Sequence, residues 1–94
     1  MEFDWDKTKA AANFKKHKVS FDEATTVFSD PLARIFNDPD HSTEERREII
    51  VGHSILSRLI LVCFTERETS LIRIFSARQT TRKERQDYEE NANE

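Results

Sequence analysis

An α+β fold, with two N-terminal helices, a four-stranded antiparallel sheet and a C-terminal helix, is predicted by three features of this 94-residue chain. Two capped segments with helical spacing open it. Four runs rich in β-branched and aromatic residues fill its middle, and the capping box Thr81-Arg82-Lys83-Glu84 introduces a polar helical tail. Short connections between the runs make neighbours antiparallel and the sheet a meander, with the helices expected on one of its faces.

Phe3 and Trp5 flank Asp4 in a short extended entry, and Asp6 is placed to cap a helix running to about His17. Ala10, Ala11, Ala12 and Phe14 supply its helix propensity and a narrow apolar stripe, with Lys7, Lys9, Lys15 and Lys16 outward. Ser20 and Glu23 form a first capping box, after which Phe21, Ala24, Val27 and Phe28 recur at helical spacing until Asp30-Pro31 stops the helix. The intervening turn, His17-Lys18-Val19, lacks glycine. A left-handed Lys18 there would cost about 1 kcal/mol.

Leu32 to Phe36 reads as the first strand, and Asn37 to Ser42 as a loop. Glu44 to Arg47 lead into a second strand, Glu48 to Ser54, in which Gly52, the only glycine, marks a close packing contact or a bulge. Arg58 to Thr65 is the third and most apolar strand. Glu66 to Thr69 form a hairpin turn, and Ser70 to Ala77 the fourth strand. The last helix carries little apolar surface beyond Tyr88, so light docking is expected.

With 36% apolar residues the chain can bury one modest core, and residues 1–94 are read as a single domain. A lone cysteine, Cys63, inside an apolar run forms no internal disulfide and is expected to be a buried, inert thiol. The acidic start and the lack of a long apolar run point to a cytoplasmic protein. His17, His41 and His53 fall on different elements without zinc spacing, so no metal is expected. No glycine-flanked nucleophile or phosphate-cradling loop occurs either.

The formal net charge of −3 argues against a nonspecific nucleic-acid binder. Its distribution is uneven. Residues 58–85 hold seven bases against three acids, whereas residues 86–94 hold four acids and no base. Within residues 58–85, Arg67, Arg73 and Arg78 accompany a β-forming core, Leu71 to Phe75. Three planar guanidinium groups converging there would make a phosphate site, the plainer alternative being pairing with Glu66 and Glu68 or exposure to water. Strict alternation opposes that convergence, because it puts Ile72, Ile74, Ser76 and Arg78 on one face and Leu71, Arg73, Phe75 and Ala77 on the other. A shared site requires a twist, a bulge or an end residue leaving the pleat.

Nearly the whole chain resembles the BrnT toxins of bacterial type II toxin–antitoxin modules. The likeness is carried in order by Phe3-Asp4-Trp5-Asp6, Asn13 to Ala24, Phe28 to Leu32, Asp38 to Ser42, Thr65-Glu66-Arg67, Ile72 to Arg78, and Arg82 to Arg85 with Tyr88. The resemblance implies a RelE-like fold and a ribonuclease that cleaves RNA and arrests translation. It also implies a BrnA-type antitoxin with a ribbon-helix-helix domain, through which the complex would reach operator DNA. The family's site residues map onto Glu66, Arg67, Arg73, Ser76 and Arg78 as catalytic, with Arg82, Tyr88 and His41 on the RNA-binding side. Lys18 stands where the family usually has glycine, and Phe64 where it often has histidine.

Such a site would stabilise a phosphorane formed by attack of the RNA 2′-hydroxyl, with no metal or cofactor. Flanked by cations, Glu66 is a poor proton acceptor and is better suited to orienting Arg67 or Arg73. The reading from another class is a noncatalytic protein whose basic patch only docks an antitoxin and serves as co-repressor.

Overall fold

The computed structural model describes residues 1–37, 46–68 and 70–92. Its elements follow the order β1 (Glu2–Asp4), α1 (Lys7–His17), α2 (Phe21–Val27), β2 (Arg34–Asn37), β3 (Glu48–His53), β4 (Leu59–Arg67), β5 (Leu71–Gln79) and α3 (Arg82–Ala92). The fold is α+β as expected, but among the described residues the sheet has five strands and is mixed rather than four-stranded and antiparallel. Its order is β1-β5-β4-β3-β2. The additional strand is the entry segment, where Phe3 lies opposite Ile72 and Asp4 opposite Arg73 in parallel register. Three residues are too few to show a period, so that pairing could not be read beforehand.

Asp6 caps α1 by accepting from the Lys9 backbone N–H at 3.0 Å, and Ser20 caps α2 by accepting from Glu23 N–H at 3.0 Å. Lys18 is left-handed, at φ 60°, and closes α1 through its N–H to the Phe14 carbonyl. The stripe expected on α1 is corrected. Phe14 is half exposed, and the buried side chain of this helix is Asn13. Beyond Asp4, β1 ends and leaves the rim of β5 without a strand partner. There the Asn13 amide accepts from Ala77 N–H at 3.1 Å and donates to Ala77 C=O at 2.8 Å and to Val19 C=O at 3.0 Å. One side chain thus stands in for a strand, satisfying backbone groups whose burial without partners would be costly.

The principal core lies on the face covered by α1 and α2. Ile50, Ile60, Val62, Phe64, Ile72, Ile74 and Ala77 of the sheet pack there against Val19, Phe21, Ala24 and Val27. Each such fully buried aliphatic side chain contributes about 1.5–3 kcal/mol. Gly52 serves a contact and not a bulge, since a Cβ there would lie 2.8 Å from that of Ala33. Glu23, with a side chain only 5% exposed, accepts from Ser54 Oγ at 2.7 Å and from Arg58 Nε at 2.9 Å; Arg58 also donates through Nη2 to the same carboxylate and to the Lys18 carbonyl. Arg58 therefore belongs to the scaffold, not to the basic patch in which its sequence position put it. Its guanidinium holds the Glu23 carboxyl below the usual carboxylate range.

The helices do not all share one face. Tyr88 of α3 packs with Val51, Leu59 and Leu61, which alternate with the principal core and so point the other way. Its hydroxyl donates to the Leu32 carbonyl at 3.1 Å, fastening α3 across the β2–β4 end of this second face. The Thr81–Glu84 capping box forms as expected, in both directions. Among the described residues no helix is long and apolar enough to cross a membrane.

Candidate functional site

The side-chain geometry of β5 depends on one extra residue. From Gln79 back to Ser76 the strand pairs regularly with β4, Leu61 opposite Arg78, Val62 opposite Ala77 and Cys63 opposite Ser76; then Phe64 pairs with Ile74. Phe75 has no opposite residue, which defines a β-bulge. Alternation therefore restarts. Leu61 and Cys63 point to the second face, and with them Ser76 and Arg78; Thr65 opposite Arg73 and Leu71 opposite Arg67 put both of those arginines there too. The bulge thus gathers Arg67, Arg73, Ser76 and Arg78 on one face. They form a row and not a point, because Arg73 and Arg78 are separated by roughly 15 Å of strand at about 3.3 Å per residue.

Glu66 is not brought to this row. It lies opposite Ile72, a residue of the helix-covered core, and so is directed to the other side of the sheet. The carboxylate beside Arg73 is Asp4 of β1, at 3.2 Å. Arg78 is held by Glu84 in a bidentate pair, Nη1–Oε1 2.8 Å and Nη2–Oε2 2.9 Å, and Nη1 also donates to the Gln79 carbonyl. Because Glu84 accepts these bonds, its carboxyl is pushed down to about 2, and the Arg78 guanidinium is held above its ordinary value. Both side chains remain about one-third exposed. Part of the Arg78 donor fork therefore still faces solvent.

The remaining expected residues scatter. Arg67 is exposed beside Glu2, Glu68 and Leu71 at the far end of the row. Arg82 is the exposed first residue of α3. Tyr88 is 6% exposed and bonded to Leu32, and burial raises its phenol pKa, so it anchors α3 and does not reach the row. His41 lies outside the described residues. Cys63 is half-buried on the second face and not in the principal core.

Arg47 was missed by the sequence reasoning. It precedes β3, and the Thr65 hydroxyl bonds to the carbonyl of its neighbour Arg46 at 2.7 Å, which sets it beside β4 near Arg73. Its guanidinium lies over the Phe75 ring, 4.1 Å from the centroid, while its Nε is buried without a hydrogen-bond partner among the described residues. Counting by twos back from Val51 and Ile49 reaches Arg47 and was the available signal.

A strip of guanidinium groups on a β-sheet face, with a hydroxyl between them, can bind successive phosphates of an extended polynucleotide. Comparison with known proteins bears on which polynucleotide chemistry applies. The family model described as "Ribonuclease toxin, BrnT, of type II toxin-antitoxin system" matches residues 5–84. The chain belongs to the BrnT family. The crystal structure of the Brucella abortus ribonuclease toxin BrnT superposes with a TM-score of 0.67 at 21% identity, covering 87% of this chain and 99% of that one, a likeness of fold. No functionally curated protein matches the chain. Membership of the BrnT family makes this a chain of the ribonuclease-toxin class, whose type II modules pair each toxin with an antitoxin.

Proposed function

We propose that the chain, acting as one domain, is a RelE-like, metal-independent endoribonuclease that cuts RNA and thereby arrests translation in the cytoplasm. A BrnA-type ribbon-helix-helix antitoxin neutralises it, and operator DNA is reached through that antitoxin. The observation that carries this reading is the bulge at Phe75, which sets Arg73, Ser76 and Arg78 along one face. The RNA 2′-oxygen attacks the adjacent phosphorus, the bond to the 5′-oxygen breaks, and the products are a 2′,3′-cyclic phosphate and a 5′-hydroxyl. The 2′-hydroxyl proton passes to water, and water protonates the leaving oxygen. Arg73 offsets the phosphorane charge, Ser76 donates to a phosphate oxygen, and Arg78, Arg67 and Arg82 hold neighbouring phosphates along the row.

Placing Glu66 on the far face removes the most obvious base, so alignment and charge stabilisation supply most of the acceleration. The same placement, with Phe64 where the family often has histidine, favours the second reading, a noncatalytic antitoxin-binding co-repressor. Incubating purified chain with RNA in the presence of a chelator, with and without ribosomes, decides between them. The ribonuclease reading predicts cyclic-phosphate ends from wild type and little or none from Arg73→Ala and Arg78→Ala. RNA left equally intact by all three, in both settings, supports the second reading instead.

A further inference from the structure

Between α3 and the second sheet face runs a groove of about 480 Å³ that no part of the proposed reaction uses. Its floor is apolar, formed by Phe36, Ile49, Val51 and Leu61, with Tyr88 closing one side. Phe36 lies on β2, the terminal strand of the sheet, and is 44% exposed. The wall is acidic. Glu84, Asp87 and Glu90 line it, and no base is among its lining residues within the described part of the chain. Arg34 is close enough to Tyr88 to lower its pKa but does not line the groove.

We infer that this groove is the docking surface for a partner protein's amphipathic segment, one carrying apolar anchors on one side and Lys or Arg on the other. An open apolar trough with an exposed aromatic at its mouth is the kind of surface that recognises a helix or strand through a few anchors. Charge complementarity selects the basic form, because an acidic segment would be repelled along the whole α3 wall. α3 can hold this wall in place because Tyr88 anchors it, and Glu84 joins the groove to Arg78. A segment seated here therefore lies against one end of the arginine row and obstructs an approaching polynucleotide. The inference goes beyond the ribonuclease reading, resting on it only for the blocking role.

The test uses the full chain and labelled synthetic peptides of about four helical turns. One alternates Leu and Lys amphipathically, one replaces Lys by Glu, and one replaces Leu by Ser. Binding is read by fluorescence anisotropy and by amide shifts. The Leu/Lys peptide is expected to bind and to move the amides of Ile49, Val51 and Leu61. Phe36→Glu and the double variant D87K/E90K should each weaken it roughly tenfold or more, a change of about 1.4 kcal/mol. The charge-matched control E2K/D22K, on surfaces away from the groove, should stay within about twofold, and the Glu and Ser peptides should bind as weakly as the groove variants. Equal loss in the control, wild-type binding by Phe36→Glu, or shifts confined to other residues would overturn the assignment. No readout involves RNA, so failure here and failure of the ribonuclease reading are distinguishable.

Discussion

Glu84 grips Arg78 with both carboxylate oxygens, at 2.8 and 2.9 Å, and the same Glu84 caps α3 by accepting from Thr81 N–H. One carboxylate therefore joins the end of β5 to the start of α3 and occupies a guanidinium edge that a phosphate would also use. A phosphate that binds Arg78 must share that guanidinium or displace Glu84.

Glu84→Gln is expected to loosen α3 and free Arg78 together. Its folded carboxyl titrates near 2 against an ordinary 4.5, so the pair's stabilisation is present above about pH 4.5 and lost as pH falls towards 2. Thermal melts of wild type should drop through that window, and those of the variant should drop less. At neutral pH the variant should lose about 1 kcal/mol with the cap yet bind RNA more tightly, measured by denaturation and filter binding.

The Glu23–Arg58 pair is a test of scaffold against site. Removing the carboxylate with Glu23→Ala leaves a part-buried guanidinium without its partner, which should cost about 3 kcal/mol in urea unfolding. RNA binding by the folded fraction should be unchanged, since Arg58 lies on the scaffold and not in the row.

Lys18 adopts φ 60°, a conformation that glycine takes without a Cβ penalty. Lys18→Gly should therefore stabilise by up to about 1 kcal/mol, seen as a higher urea midpoint with unchanged slope. The Arg58 bond to the residue-18 carbonyl is retained, as it uses backbone.

Much of this was legible in the sequence because the signals were local. Ser20 with Glu23 and Thr81 with Glu84 announced their helices by spacing alone, and the runs of β-branched and aromatic residues announced β2 to β5. The strand ends differ from the sequence reading by a few residues: β2 starts at Arg34 and not Leu32, while β4 runs on through Glu66 to Arg67, where the sequence predicts a turn. What escaped depended on contacts distant in sequence. Asn13 among alanines gave no hint that it would complete the rim of β5, and Asp4 could not be matched with Arg73 before β1 was known to pair. The site turned on parity. Regular alternation separated Arg73 from Ser76, and one unpaired residue, Phe75, reunited them.

The stacking of Arg47 on Phe75 provides a further prediction. Stacked there, Arg47 should add one phosphate contact to the row, so Arg47→Ala should reduce RNA affinity roughly tenfold and lower the salt-dependence slope by about 0.7. Arg47→Lys keeps the charge without the planar stack and should fall between the two.

The central claim is that the face carrying Arg73 and Arg78, and not the face carrying Glu66, meets RNA. Rates of cyclic-phosphate formation by Arg73→Ala and Glu66→Gln, compared with wild type under one condition, test it most directly. The geometry predicts a loss of about a hundredfold or more for Arg73→Ala and a near-wild-type rate for Glu66→Gln. A Glu66→Gln variant as impaired as Arg73→Ala, or an Arg73→Ala variant with undiminished cleavage, would contradict it.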